Sequence, residues 1–377
     1  MINKISYSSL LGLFLFIQVT SQAGVIDVYF STRNKGAEGI YRSTLDTSSG
    51  KLTTPEPATS TDPTGFLICH PKTNELYAVT SNDTEHSVKR FQAAEDGSLT
   101  ELQSVKMEAG GAAHLAIHPD GKLLITAHYG SGKVSVFGLS EDGTLTECLQ
   151  IIEHGEPSGV NEKRQNAPHP HWTGFSPDGR YAFVPDLGMD KIIIYQVQLD
   201  PVQFVPNGAA ESDPGSGPRH MKFSLDGKQI YLLNELNLTV SVFDYDSGTG
   251  AAQMASQIET LSEEVKSKES MVTASEIQIH PSGRFLYTAN RGHDSISAFR
   301  IDPSSKKLSL IEVEAIRGAW PRHFAIDPTG KWLLVAGARS DSISVFAIDP
   351  ESGELQFQAR SIVHTPDPIC VLFRQQQ

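Results

Sequence analysis

The feature that most constrains this chain is a sequence pattern that recurs at intervals of 47 to 58 residues. In the copy that begins at His114, a short apolar run reaches a turn at Asp120-Gly121, and a second apolar run follows from Leu123. Repeats of about 50 residues that hold several short strands each are typical of β-propeller blades. The pattern returns in segments that begin at Gly65, Trp172, His220, Glu276 and His323, and incompletely from Val25.

Each copy is predicted to form four strands, A to D. A Gly-containing turn such as Asp178-Gly179 separates strands A and B, because glycine accepts the positive φ that tight turns require. The alternating run Val134–Phe137 is typical of a half-buried strand C. Helical character is expected only in the polar segment 259–268. The sequence therefore predicts an all-β, seven-bladed β-propeller.

The first copy lacks its opening strand, and the C-terminus offers a replacement. Residues 367–373, Asp-Pro-Ile-Cys-Val-Leu-Phe, resemble the start of a strand A and follow the completed seventh copy. We expect this C-terminal strand to complete the first blade, because closing the ring removes free strand edges.

The N-terminus resembles a secretory signal peptide. Lys4 precedes an apolar run from Leu10 to Ile17, and small residues stand at Ser21 and Ala23. The expected domains are a signal peptide at 1–23 and the propeller at 24–377. The mature protein is then expected to be exported to the periplasm or the exterior, without a retained membrane segment, because the apolar run is too short to span a bilayer.

Charge restricts the partners. The chain has 31 Lys and Arg against 44 Asp and Glu, a formal net charge of −13. Such a charge repels nucleic acid and anionic lipid, so neither is expected as a partner. An anionic small molecule requires local positive groups that override this field. The oligomeric state is left open.

The predicted topology brings distant residues to one rim of the propeller, because strand A starts and strand B ends lie at the same end of an antiparallel blade. Glu235 and Arg291 interrupt the repeat at strand B ends, which favours a functional role. A histidine recurs at strand A starts, as a repeated structural hydrogen-bonding residue would. The candidates at this rim are His114, His128, His171, Asp186, Arg219, His220, Glu235, Arg291, Arg322 and His323.

Another interpretation is possible for Asp186 and for the pair His169 and His171. Asp186 stands in an Asp-Leu-Gly turn, where a carboxylate often binds loop amides only. His169 and His171 share a strand face and could ligate a metal, but no third ligand is specified, so no metal and no cofactor is predicted.

At these residues the chain resembles the propeller-type lactonase family, which includes bacterial 6-phosphogluconolactonases and fungal 3-carboxy-cis,cis-muconate lactonising enzymes. The resemblance covers nearly the whole mature chain. The family's functional positions fall on His171, Arg219, Glu235 and Arg291. In place of His128 the family more often has Asn. The stretches that carry the resemblance most specifically are 168–171, 185–190, 217–220, 234–236 and 289–291.

The resemblance implies a carboxylic-ester hydrolase that opens a sugar δ-lactone with base-activated water, as in carbohydrate metabolism. Glu235 or His171 is expected to be the general base, Arg219 to hold the carbonyl oxygen and Arg291 an anionic substituent. The second-rank substrate contacts are His220, Arg322 and His128.

Two alternatives stay open beside the lactone hydrolase. One is an exported propeller that binds a ligand or protein without catalysis, and the other is a lactonising enzyme for a carboxylated dienoate. Export weakens the choice of a phosphorylated substrate, because phosphogluconolactone is made inside cells.

Overall fold

The computed structural model describes residues 24–33 and 36–374. Within them the strands form seven antiparallel sheets, each of four or five strands. The innermost strands of neighbouring sheets contact each other around a central axis. The predicted seven-bladed β-propeller is therefore confirmed. The proposed signal peptide at 1–23 lies outside the described residues.

The strands are numbered in chain order and grouped by blade. Blades 1 to 3 comprise β1 (Val25–Thr32), β2 (Gly39–Asp46), β3 (Lys51–Leu52), β4 (Glu56–Ser60), β5 (Thr64–Cys69), β6 (Glu75–Ser81), β7 (His86–Ala93), β8 (Leu99–Lys106), β9 (His114–Ile117), β10 (Leu123–His128), β11 (Lys133–Leu139) and β12 (Leu145–Glu153). Blades 4 and 5 comprise β13 (Gly174–Phe175), β14 (Tyr181–Asp186), β15 (Lys191–Leu199), β16 (Val202–Glu211), β17 (Pro218–Phe223), β18 (Gln229–Asn234), β19 (Thr239–Tyr245) and β20 (Ala252–Glu259). Blades 6 and 7 comprise β21 (Thr273–Ile279), β22 (Phe285–Arg291), β23 (Ser295–Ile301), β24 (Leu308–Ala315), β25 (Pro321–Ile326), β26 (Trp332–Gly337), β27 (Ser342–Ile348), β28 (Leu355–Phe357) and β29 (Val363–His364).

The last strand, β30 (Pro368–Phe373), closes the ring. It pairs antiparallel with β1, with Val28 opposite Phe373 and Phe30 opposite Val371. The C-terminal strand thus becomes strand A of blade 1, as the sequence predicts. This pairing occupies an edge that the first blade would otherwise expose.

The expected helical segment is a single short turn. The helix α1 (Glu263–Lys266) lies between blades 5 and 6, and the side chain of Ser262 caps it by accepting a hydrogen bond from the amide of Val265. Two acidic residues in its first turn and Lys266 in its last turn suit the helix dipole.

The hydrophobic core lies between blades rather than at one centre. In the described chain, an apolar cluster fills each junction between neighbouring blades. At the junction of blades 6 and 7, for example, Phe285, Phe324 and Phe346 are fully buried together. Each such side chain contributes about 1.5–3 kcal/mol, so the inner strands are held in fixed positions around the axis.

Aromatic side chains also hydrogen-bond from one blade to the next. The hydroxyl of Tyr29 donates to the carbonyl of Gly97 (2.9 Å), and Tyr287 donates to Gly353 (2.8 Å). Both glycines have φ near +80°, which side-chain-bearing residues rarely adopt. Trp332 makes the equivalent bond to the carbonyl of Thr47 across the junction of blades 7 and 1 (3.0 Å).

Candidate active site

A cavity of about 640 Å³ opens at one end of the propeller axis. Of the predicted rim residues, those that line it are His171, Arg219, His220, Glu235, Arg291 and Arg322, whereas those that do not are His114, His128, Asp186 and His323. We call it the axial cavity. Its charged and aromatic lining residues are Arg33, Phe66, Asp83, His86, Tyr129, Arg164, His171, Arg219, His220, Glu235, Arg291 and Arg322.

The axial cavity is locally positive although the protein is acidic. Among the described residues, five arginines but only two carboxylates line it, whereas the whole chain has a formal net charge of −13. Clefts with one predominant sign of charge concentrate ligands of the opposite sign. The cavity therefore meets the condition for an anionic ligand that the sequence alone left open.

Glu235 is the centre of the arginine group. It directly follows β18, is 3% exposed, and accepts from Arg219 Nε at Oε2 (2.9 Å). Its other oxygen, Oε1, accepts from Arg164 Nη2 (2.7 Å) and lies 3.0 Å from Arg291 Nη2. One carboxylate thus holds three guanidinium groups in fixed positions at the cavity wall.

The charges around Glu235 determine its protonation. Burial alone would raise the pKa of Glu235, but attraction from Arg291 and Arg219 outweighs burial and lowers that pKa far below its usual range. Burial, assisted by repulsion from Arg291, lowers the pKa of Arg219 to about 10. At neutral pH, Glu235 is an anion and Arg219 is a cation.

His171 lies beside this group. Its Nε2 is 4.0 Å from Glu235 Oε2, and the side chain is largely buried, in the segment that precedes β13. Burial and the positive charge of Arg219 lower the pKa of His171 well below its ordinary value. His171 is therefore neutral at pH 7 and can accept a proton.

Arg322 differs from Arg164, Arg219 and Arg291 because it has no acceptor among the described residues. Within the described residues, no hydrogen bond or ion pair joins its guanidinium to a carboxylate or carbonyl. Burial and repulsion from Arg219 and Arg291 lower the pKa of Arg322 well below its usual range. Arg291, by contrast, contacts Glu235 and donates to the carbonyl of Ala274 (2.9 Å).

The recurring strand A histidines pack below the cavity. His114 accepts from the amide of Thr173 in the next blade (3.4 Å), and His323 accepts from the amide of Val371 (3.2 Å). These two histidines make the repeated interblade contact expected of structural residues. His220 instead bonds through Nδ1 to the carboxylate of Glu276 (2.9 Å), and it also lines the cavity.

The structure does not bring His128 into the cavity, so the expectation that it contacts the substrate is corrected. His128 is fully buried and bonds through Nδ1 to Gly110 O (2.8 Å) and through Nε2 to the hydroxyl of Ser135 (2.9 Å). Asn234 and Asn290 make the same kind of contact with serines of their own blades. His128 thus corresponds to those asparagines and not to Glu235 or Arg291. Because successive side chains of a strand point to opposite faces, an alignment error of one residue assigns a side chain to the wrong face.

Asp186 has the structural role that the sequence analysis gave as an alternative, which is to bind loop amides. Its Oδ1 accepts from the amides of His169 (2.7 Å) and Gly188 (2.9 Å), and its Oδ2 contacts Nδ1 of His154 (2.6 Å). It is fully buried and does not line the axial cavity.

The sequence analysis did not single out several residues that line the cavity or contact its lining: Arg33, Phe66, Asp83, His86, Tyr129, Arg164 and Glu276. Tyr129 occupies in blade 3 the position that Glu235 and Arg291 occupy in blades 5 and 6, and correct alignment of the repeats would have found it. Arg33 immediately follows β1, a strand B. Arg164 lies in the long connection between β12 and β13, where no strand periodicity assigns it a position. Glu276 was noticed only as the start of a repeat.

Neither a metal site nor a membrane helix is found in the part of the chain that the structure describes. Among these residues no three His, Cys, Asp or Glu side chains are grouped as metal ligands. No helix in residues 24–33 and 36–374 combines the length and the apolar character needed to cross a membrane.

The chain is similar in sequence and fold to known proteins. The family model for the lactonase with a 7-bladed β-propeller matches residues 27–373. A 6-phosphogluconolactonase of Bacillus subtilis is 32% identical over 350 residues, which cover 92% of this chain and 98% of that protein.

Solved structures of other proteins are also similar to this chain. The periplasmic gluconolactonase of Pseudomonas aeruginosa superimposes with a TM-score of 0.83 at 30% identity, covering 93% of this chain and 99% of that one. A protein of Lactobacillus plantarum gives a TM-score of 0.85 at 28% identity, covering 93% and 100%. The enzyme class expected from the sequence, a lactonase among the carboxylic-ester hydrolases, is confirmed. The chain belongs to the lactonase family of seven-bladed β-propellers.

Proposed function

We propose that this protein opens a sugar δ-lactone that carries an anionic group, and that water attacks the lactone carbonyl in the axial cavity. The observation that carries the proposal is the position of His171 Nε2, 4.0 Å from Glu235, whose carboxylate holds three arginines. This arrangement supplies a proton acceptor next to fixed positive charge, and ester hydrolysis needs both.

His171 is the general base in this proposal, and Glu235 is not. Three arginines stabilise the ionised form of Glu235 so strongly that it is a poor proton acceptor. His171 Nε2 takes a proton from water as the water oxygen bonds to the carbonyl carbon. The negative charge of Glu235, 4.0 Å away, stabilises the imidazolium that forms.

Arg219 is assigned to the carbonyl oxygen. Arg219 contributes to the lining of the axial cavity, and its Nε is held by Glu235. A fixed guanidinium of this kind stabilises the oxyanion of the tetrahedral intermediate. When the intermediate collapses, the bond between the carbonyl carbon and the ring oxygen breaks. The ring oxygen then takes the proton back from His171, which yields the open hydroxy acid.

Arg322 is the better candidate for the anionic substituent than Arg291. Arg291 already contacts a carboxylate and a carbonyl, whereas Arg322 has no partner in the described chain. A guanidinium binds phosphate or carboxylate through two parallel hydrogen bonds. His220 is second to Arg322 as a substrate contact, because its Nε2 is buried below the cavity surface.

This cavity and the relatives support the proposed substrate class. A 6-phosphogluconolactonase and a periplasmic gluconolactonase are among the similar proteins, and the positive cavity favours the substrate with a charged group. The N-terminal pattern at 1–23 supports export, which weakens the choice of the 6-phosphate itself but not that of a sugar lactone with another anionic group.

The test is a panel of lactones given to the purified mature chain, with acid release followed at constant pH. The panel contains glucono-δ-lactone, its 6-phosphate and a carboxylated muconolactone. Release above the spontaneous rate, fastest for the phosphorylated sugar lactone, supports the proposal. Turnover of the muconolactone alone would favour the carboxylated-dienoate alternative, and no acceleration of any lactone would refute hydrolysis.

A further inference from the structure

A buried carboxylate in contact with the cavity residue His220 is not used by the proposed mechanism. Glu276, in β21, is 1% exposed and lies between two histidines. Its Oε2 is 2.9 Å from His220 Nδ1 and 3.2 Å from His323 Nε2. The hydrogen bonds around it determine which nitrogen of each histidine carries a hydrogen.

The ring-closing strand β30 determines which nitrogen of His323 carries the hydrogen. The backbone amide of Val371 donates to His323 Nδ1 (3.2 Å), so Nδ1 carries no hydrogen. A neutral imidazole has its hydrogen on the other nitrogen. His323 Nε2 therefore donates to Glu276.

Glu276 determines which nitrogen of His220 carries the hydrogen. Its Oε1 accepts from the amide of Ile277 (3.0 Å) and from the side-chain amide of Gln278 (3.3 Å). A carboxylate surrounded by donors offers no hydrogen of its own, so His220 Nδ1 must donate to Oε2. His220 Nε2 is then an acceptor.

Two buried nitrogens remain without partners at this point. They are His220 Nε2 and His171 Nδ1, and neither has a hydrogen-bond partner among the described residues. The two imidazole rings are neighbours, with centroids 5.2 Å apart and planes at 65°. Buried polar atoms are rarely left unpaired, and an acceptor on one ring is complementary to an N–H on the other.

We propose that Glu276 and His220 are positioning residues that keep a hydrogen on His171 Nδ1 through one bridging water, and so leave Nε2 free to take a proton from the attacking water. The inference rests on the proposed role of His171 as the base. It joins the C-terminal strand to the reaction through Val371, His323, Glu276 and His220 in turn.

The positioning is needed because Glu235 favours the other tautomer. His171 Nε2 is 4.0 Å from the Glu235 carboxylate, which attracts a hydrogen on that nitrogen. With its hydrogen on Nε2, the neutral His171 could not accept a proton from water on the side that faces Glu235. A competing acceptor at Nδ1 is required to hold the reactive form.

The test reads the tautomer of His171 directly. Nitrogen-15 spectra of the imidazole side chains are recorded for the wild type and for Glu276→Gln at neutral pH, without substrate. We expect hydrogen on Nδ1 in the wild type and a shift towards Nε2 in the variant. Glu75→Gln is the matched control, because Glu75 is also buried and ion-paired, with Arg90 in blade 2, and does not line the cavity.

Kinetics supply the second readout. We expect Glu276→Gln to lower kcat at least about tenfold with little change in KM, because the base is held in the wrong tautomer, and Glu75→Gln to leave kcat unchanged. Hydrogen on Nε2 in the wild type would overturn the inference, as would an unchanged tautomer in Glu276→Gln. If the wild type opens no lactone, the proposed function fails, while the spectra still decide whether the positioning exists. The wild-type spectrum suffices if the variant does not fold.

Discussion

Arg219 Nε donates to Glu235 Oε2 at 2.9 Å, and both side chains are at most 3% exposed. This buried pair joins two residues of blade 5 that are 16 positions apart in the sequence. It keeps the Arg219 guanidinium beside His171. Because Arg164 and Arg291 share the same carboxylate, Glu235 compensates three charges at once.

Substituting Glu235→Gln is expected to lower the free energy of unfolding by about 3 kcal/mol, since it leaves buried arginines without a counter-charge. Chemical denaturation measures the loss. Glu211→Gln is the control, because Glu211 pairs with Lys191 on the surface and is 69% exposed. Equal stability of the two variants would contradict the account of Glu235.

Replacing the base should separate chemistry from folding. His171→Asn is expected to lower kcat by about 10²–10⁴-fold, because proton transfer from water is lost. His118→Gln provides the comparison: His118 is buried, bonds to Gly179 O, and does not line the axial cavity. Steady-state kinetics should show normal kcat for His118→Gln, and a His171→Asn enzyme with wild-type kcat would remove His171 from the mechanism.

The proposed role of Arg322 predicts weaker binding of a charged lactone without a loss of stability. Arg322→Gln is expected to raise KM for the 6-phosphate of glucono-δ-lactone by roughly 10–100-fold, as loss of a charged hydrogen bond requires. KM for the uncharged lactone should stay the same. Thermal unfolding should show unchanged or increased stability, because the substitution removes a cation that has no partner among the described residues. An equal rise in KM for both lactones would refute a role in binding the anionic group.

The buried His128 makes stability depend on pH. Burial lowers its pKa from 6.5 to about 4, so the unfolded chain takes up a proton first as pH falls. The associated stability is full above pH 6.5 and is lost between pH 6.5 and about 4, at about 1.4 kcal/mol per pH unit.

His128→Asn should remove that loss and keep activity, since Asn234 and Asn290 make the same contacts in blades 5 and 6. Denaturation at pH 7 and pH 4 measures the difference, expected at about 3 kcal/mol. An unaltered pH dependence in His128→Asn would show that this histidine does not titrate as its burial implies.

Much of the fold follows from the sequence because each repeat carries its own turn and strand signals. The pairing of β30 with β1 was predictable because the first repeat lacks strand A and the last segment provides one. His171, Arg219, Glu235 and Arg291 could be grouped because the antiparallel topology dictates a common rim.

The parts of the site that the sequence did not predict have physical causes. His128 was assigned to the cavity because it was aligned with Glu235, whereas it corresponds to Asn234 at the end of strand B. The next residue, Tyr129, is the one that lines the cavity. Arg164 comes from a connection whose path depends on tertiary packing rather than on periodicity. Glu276 could not be distinguished from a residue at the edge of a strand until its contacts with His220 and His323 were known.

The central claim is that fixed arginine charge and a neutral histidine open a lactone in the axial cavity. The most direct measurement is kcat/KM for the phosphorylated sugar lactone, compared between the wild type and Arg219→Gln. The account predicts acceleration above spontaneous hydrolysis by the wild type and a loss on the order of 10²–10³-fold in the variant. Equal kcat/KM for the two proteins, or a wild type no faster than the buffer, would contradict it.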